Sequence, residues 1–109
     1  MANIPLDSES ACVISANHSP YSAYRHAKAA WDVVLFAPEY ENDDVPEEIN
    51  DPLSDAHCAA LEQYMLTPAD TIAELGRKLD VFHDEEAWGL YAAPAFVAAL
   101  AEDARRLAR

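Results

Sequence analysis

Three times in this chain a residue able to cap a helix stands immediately before a proline: Ser19-Pro20, Asp51-Pro52 and Thr67-Pro68. Proline at the first helical position loses only an N–H that would have had no partner, and the Ser, Asp or Thr before it can accept from the free amides of the first turn. Ala93-Pro94 repeats the pattern without a capping side chain. Glycine occurs only at Gly76 and Gly89, so the Asn-Gly and Asp-Gly turns that close β-hairpins are missing, and β-branched residues thin out after the first fifteen positions. Alanine, leucine and glutamate, all good helix formers, dominate instead. The pattern predicts an all-α chain: a compact bundle of about four helices.

The segments follow from these marks. Residues 1–18 read as a loosely held tail whose Ala11-Cys12-Val13-Ile14 docks on the core, and residues 19–109 as a single helical domain. A first helix is predicted over 20–36, with Tyr24, Ala27, Trp31 and Val34 or Leu35 on one face. An acidic connector covers 37–51. A second helix over 52–66 buries Leu53, His57 or Ala56, Ala60 or Leu61, and Tyr64. A third, over 68–82, is capped by Thr67 with Asp70 at its third position, and Ile72, Leu75, Leu79 and Phe82 form its apolar stripe. The one-residue link at Thr67 predicts a sharp corner, and Gly76 in mid-helix predicts a close helix crossing. The last helical region is capped by Asp84, bends at Gly89 and Pro94, and continues through Phe96, Val97, Leu100, Ala104 and Leu107. Glu74–Lys78 and Glu102–Arg106 have the spacing of stabilising surface pairs.

Charge narrows the function. Asp and Glu number 20 against 7 Lys and Arg, a net charge of −13 over 109 residues. Nucleic-acid affinity rests on cations neutralising phosphates, so direct DNA or RNA binding is excluded, and anionic membrane surfaces are disfavoured by the same sign. The beginning of the chain, Met1-Ala2-Asn3-Ile4-Pro5-Leu6-Asp7, has neither the basic nor the apolar segment of a signal peptide, and no apolar run has spanning length, so a cytoplasmic protein is expected. In that compartment Cys12 and Cys58 are expected as free thiols.

The densest feature is the connector. Glu39, Glu41, Asp43, Asp44, Glu47, Glu48 and Asp51 place seven carboxylates in residues 39–51 with no cation among them. Such a run repels itself and stays solvated, which aids solubility. It is also a docking surface for a basic partner, with Tyr40, Val45 and Ile49 as apolar anchors. Carboxylates held on a helical body, extended by Asp55, Glu62, Asp70 and Glu74, offer a third use: imitation of nucleic-acid phosphates. The aromatics Tyr21, Tyr24 and Trp31 share a core-facing stripe. Trp88 and Tyr91, beside Gly89 and Pro94, read first as core-packing aromatics, and become interface anchors if the bend leaves them exposed.

Chemistry finds little footing. His57, Cys58 and the Asp80-x-x-His83 pair offer metal-ligand types, but adjacent His57 and Cys58 diverge on a helix, and a zinc or di-iron site needs more converging ligands. Two glycines cannot build a phosphate loop, a nucleophile elbow or a dinucleotide fingerprint. With alanine supplying 22 of the apolar residues, the core leaves little volume for a substrate cavity. No enzyme, no cofactor and no metal site are expected.

Residues 66–79, Leu-Thr-Pro-Ala-Asp-Thr-Ile-Ala-Glu-Leu-Gly-Arg-Lys-Leu, carry a Thr-Pro capped helix followed by Lys-Leu. An alanine-rich aromatic helix precedes it and an acidic Ala/Leu-rich helix follows, over about 21–107. This outline resembles small acidic helical proteins of alphaproteobacteria and their prophages. The resemblance implies a helical fold and a bacterial or phage origin, and it carries over no catalytic residue. The sequence therefore predicts a non-enzymatic protein-interaction module, with Glu39, Tyr40, Glu41, Asp43, Asp44, Glu47, Glu48, Asp51, Trp88 and Tyr91 as partner-binding residues. The alternative is a mobile-element nucleic-acid mimic that inhibits a DNA- or RNA-binding host protein, of the anti-restriction or anti-CRISPR type, and a small metal-dependent enzyme built around His57, Cys58 and His83 is a remote third. Homo-oligomerisation stays open, although the net charge opposes it.

Overall fold

The computed structural model describes residues 19–109. Among them are four α-helices and two single-turn 3-10 helices: α1 Pro20–Leu35, a 3-10 turn Pro38–Tyr40, α2 Glu47–Leu66, α3 Ile72–Asp84, a second 3-10 turn Ala87–Gly89, and α4 Ala93–Leu107. No strand occurs among the described residues. The chain is all-helical, as its composition predicts. The expected tail and Cys12 lie outside the described residues. The described residues form two compact units, divided within α2: the first closes at Ala60 and the second is Leu61–Arg109.

In the first unit, α1 starts as the Ser-Pro signal predicts. The Ser19 hydroxyl oxygen accepts from the Ser22 amide at 3.1 Å, and Pro20 occupies the first turn. Tyr24 is buried, and His57 of α2 lies 5.9 Å from its ring and 5.1 Å from that of Trp31. The Trp31 indole N–H donates to the Asn50 side-chain oxygen at 2.9 Å, tying α1 to the start of α2. That start corrects the expected boundary. Instead of opening α2, Pro52 stands inside it as its sixth residue. The helix begins after Pro46, whose carbonyl accepts from the Ile49 and Asn50 amides at 3.0 and 2.9 Å. Glu47 and Glu48 in the first turn favour this earlier start against the positive end of the helix dipole.

The second unit departs further. Thr67 caps nothing downstream: its hydroxyl donates to the Gln63 carbonyl at 2.6 Å, finishing α2. The link to α3 is 67–71, not one residue, and the cap is Thr71. Its hydroxyl oxygen accepts from the Glu74 amide at 3.1 Å, while the Glu74 carboxylate accepts from the Asp70 amide at 2.6 Å, a variant of the reciprocal capping box. Along α3 the expected stripe is also displaced. Ile72 and Leu79 are exposed, Leu75 and Phe82 are half-buried, and the buried residues are Lys78 and Val81.

Lys78 is the cause of this displacement. Its ammonium, 2% exposed, donates to the Asp103 carboxylate of α4 at 2.6 Å and to the Thr67 carbonyl at 2.9 Å. The other Asp103 oxygen accepts from the Ala69 amide at 3.2 Å and from Arg106 at 3.1 Å. Arg106 also donates to the Ala69 carbonyl. One buried carboxylate thus gathers two helices and the 67–71 link. The predicted Glu74–Lys78 and Glu102–Arg106 pairs give way to it, and Glu102 pairs with Arg105 at 3.1 Å instead.

The apolar interior of this unit includes the buried side chains of Leu61, Met65, Ala69, Val81, Ala87, Phe96 and Leu100. Each large apolar side chain among them contributes about 1.5–3 kcal/mol by leaving water. Gly76 marks no close crossing, because a Cβ added there meets no heavy atom within 4 Å. Asp84 ends α3 instead of capping a later helix, and Glu86 turns the chain in the left-handed region, at φ 51°. Pro94 sits in the first turn of α4, which has no side-chain cap.

Candidate functional site

The residues singled out from the sequence fall on two surfaces, one on each unit. On the first unit, the C-terminus of α1 runs out through Phe36 into the 3-10 turn at Pro38, whose ring suits the opening of a helical turn. Leu35, Phe36, Ala37, Pro38, Tyr40 and Glu41 line one shallow groove there. Phe36 is 80% exposed. Tyr40 is half-buried, and its carbonyl accepts from the Asp43 amide at 3.3 Å in the turn that follows.

From this groove the acidic run continues. Glu39, Glu41, Asp43, Asp44, Glu47, Glu48 and Asp51 are all exposed, and none of them forms an ion pair with a described residue. The run is not a uniform loop: Glu39 lies in the 3-10 turn, and Glu47, Glu48 and Asp51 lie on the first turns of α2. Of the apolar anchors proposed within it, Val45 is half-buried and Ile49 exposed.

On the second unit, Trp88 and Tyr91 stand at the surface, 58% and 103% exposed. The second 3-10 turn places them there. Ala87 is fully buried and anchors the turn inward, so the next residue, Trp88, projects outward. Its indole is flanked by the Phe82 ring at 6.3 Å and the His83 ring at 6.0 Å. Phe82, Trp88, Leu90, Tyr91, Pro94 and Val97 line a second shallow groove. The sequence identified Trp88 and Tyr91 but not the groove. Its other walls come from α3 and α4, whose facing residues a linear pattern does not pair.

The residues considered for chemistry are dispersed. His57 is buried against two aromatic rings, Cys58 is an exposed free thiol, and His83 is exposed at 3.6 Å from Asp84. No group of three or more metal-ligating side chains comes together among the described residues. Among them, too, no helix is long and apolar enough to cross a membrane. Comparison with protein-family models, curated proteins and solved structures finds no match.

Proposed function

We propose that this protein is a non-enzymatic, cofactor-free interaction module of the cytoplasm that binds a basic protein partner through the acidic surface of residues 39–51. The observation that carries the reading is the pairing of two features on one unit. Seven exposed carboxylates make no ion pair with a described residue, and they begin at a groove walled by Leu35, Phe36 and Tyr40. Solubility alone explains the charge but not an aromatic side chain left exposed beside it. Carboxylates steer a cationic partner, and the apolar groove supplies the desolvated contact that holds it.

Affinity capture from cells of the source organism tests the reading. Wild-type protein is compared with a variant carrying Glu41→Gln, Asp43→Asn, Asp44→Asn, Glu47→Gln and Glu48→Gln. The expected result is a stoichiometric partner lost from the variant and weakened steeply by salt, because exposed charges are screened over about 10 Å at 0.1 M. A partner retained by the variant rejects the acidic surface as the site.

One feature favours the second reading, a nucleic-acid mimic. Glu47, Asp51 and Asp55 are exposed and follow one another at four-residue spacing along α2, a row of charge rising by about 6 Å per step. Release of the captured partner by double-stranded DNA selects this reading over an ordinary adaptor.

A further inference from the structure

We infer that the groove at the end of α1 is an arginine site: it takes one arginine side chain of the partner, with the stem along Phe36 and the guanidinium between Glu41 and the last carbonyls of the helix. The inference deepens the proposed function, on which it rests for the class of partner, and narrows a basic protein to the side chain that the groove reads.

The end of α1 lacks what a helix C-terminus ordinarily supplies for itself. The last carbonyls of a helix are commonly served by a glycine cap or by a Lys or Arg in the final turn. Here no basic residue stands in that turn, and no Lys or Arg occurs between Lys28 and Arg77. The amides that follow serve two carbonyls: Phe36 donates to Asp32 at 3.0 Å and Ala37 to Val34 at 3.2 Å. Pro38 has no N–H to give. The amides of Tyr40 and Glu41 donate to Ala37 and Pro38 within the 3-10 turn. Among the described residues, then, no donor pairs with the carbonyls of Leu35 and Phe36. Both of these residues line the groove.

Charge and ring meet at the same place. Glu41 itself lines the groove and forms no ion pair with a described residue. The free carbonyls add the negative pole of the helix dipole. Phe36 is exposed and Tyr40 half-buried in the same groove. The occupant must therefore bring positive charge, several donors and a surface that lies against a ring. A guanidinium has all three: it is planar, carries five N–H donors in a fork and stacks on aromatic faces. The ammonium of lysine is a compact, strongly hydrated point with three donors. A neutral apolar side chain would cover Phe36 but take two carbonyls and a carboxylate out of water with nothing to bond. A second copy of the chain would bring a net charge of −13 to an anionic surface, so the arginine belongs to another protein.

The test uses the full chain and two fluorescein-labelled synthetic peptides of equal length and charge, alike except that one carries arginine wherever the other carries lysine. Anisotropy gives Kd for each. The ratio of the two reads the groove, and their common level reads the acidic run. The arginine peptide is expected to bind about ten-fold tighter. In Phe36→Ala and in Glu41→Gln the two peptides should bind alike, with circular dichroism unchanged because both side chains are exposed. The four-fold variant Asp43→Asn, Asp44→Asn, Glu47→Gln and Glu48→Gln should weaken both peptides together and keep their ratio. Equal binding of the two by wild type, lost in the four-fold variant, overturns the inference and leaves the acidic-run reading standing. Both Kd values unmoved in that variant, with the ratio intact, reject the acidic run and support the groove. A preference for arginine that survives Phe36→Ala and Glu41→Gln overturns the inference, because arginine is then read elsewhere. Absence of binding by either peptide overturns it as well. A dimer in sedimentation that is lost in Phe36→Ala makes the arginine a second copy's, and again overturns it.

Discussion

Removing the ammonium of Lys78 should cost more than any surface change in this protein. Lys78 and Asp103 are each 2% exposed and meet at 2.6 Å. Lys78→Met keeps most of the aliphatic stem, so the loss is electrostatic and not a cavity. It leaves a buried carboxylate with one oxygen still served by the Ala69 amide and Arg106, and the other without the ammonium. Breaking one side of a buried pair typically costs about 3–5 kcal/mol. Arg106 partly compensates the remaining charge, which puts the expected loss near the lower end, about 3 kcal/mol. With a urea slope of about 1.5 kcal/mol/M, the unfolding midpoint falls by roughly 2 M. Trp88 emission in a Trp31→Phe background reports the second unit, and circular dichroism the helices. The double variant Lys78→Met/Asp103→Leu should recover much of the loss, because two apolar side chains replace two desolvated charges. The Ala69 amide then lacks its acceptor, which holds the recovery short by about 1–3 kcal/mol. The coupling should persist in 1 M NaCl, since a buried pair is poorly screened. A loss below about 1 kcal/mol for Lys78→Met, or a coupling that salt abolishes, would refute the reasoning.

Three further substitutions test the backbone assignments by thermal or urea unfolding. Gly76→Ala should stabilise by about 1 kcal/mol, since the helix gains propensity and the new Cβ meets nothing within 4 Å; destabilisation would reveal a hidden close contact. Thr71→Ala should cost about 1 kcal/mol through loss of the α3 cap, and Thr67→Ala less than about 0.5 kcal/mol; the reverse order would move the start of α3 back to Pro68. Glu86→Gly should stabilise by about 0.5–1 kcal/mol, as relief of the left-handed backbone exceeds the greater flexibility of unfolded glycine; a net loss would mean that the Glu86 side chain contributes more than its backbone costs.

Local signals in this sequence were legible where the interaction was local. Ser19-Pro20 opens α1, and the alanine-rich composition yields helices without strands. Thr71-Ile72-Ala73-Glu74 is also a readable capping pattern, but the neighbouring Thr67-Pro68 offers a competing one, and proline drew the boundary four residues too early. The same bias placed the start of α2 at Pro52, when Pro46 followed by two glutamates held an equal claim. The Lys78 environment was beyond local reading. Its partner is 25 residues away on α4, and no helical periodicity marks a lysine as an inward residue. Once Lys78 faces in, Leu79 and Ile72 must face out, so a single tertiary pairing reset the whole stripe. Of the binding candidates, the acidic residues were recognisable from charge alone. The exposure of Trp88 followed from the burial of Ala87, which the sequence does not announce.

Pro52 gives α2 two kinds of amide. A proline inside a helix donates nothing, so the carbonyl of Glu48 has no amide four residues on. The turn ahead of it carries Glu47, Glu48 and Asp51 and buries no large apolar side chain, whereas the stretch beyond it holds His57, Leu61, Tyr64 and Met65 in the interior. The leading turn is therefore held to the rest of its unit chiefly by the Trp31–Asn50 bond, and its protons are expected to trade with solvent through smaller excursions than those of the later turns. A partner that captures the acidic turn would write its footprint in that first class alone: slowed deuterium uptake at Ile49, Asn50 and Asp51, ending at the proline.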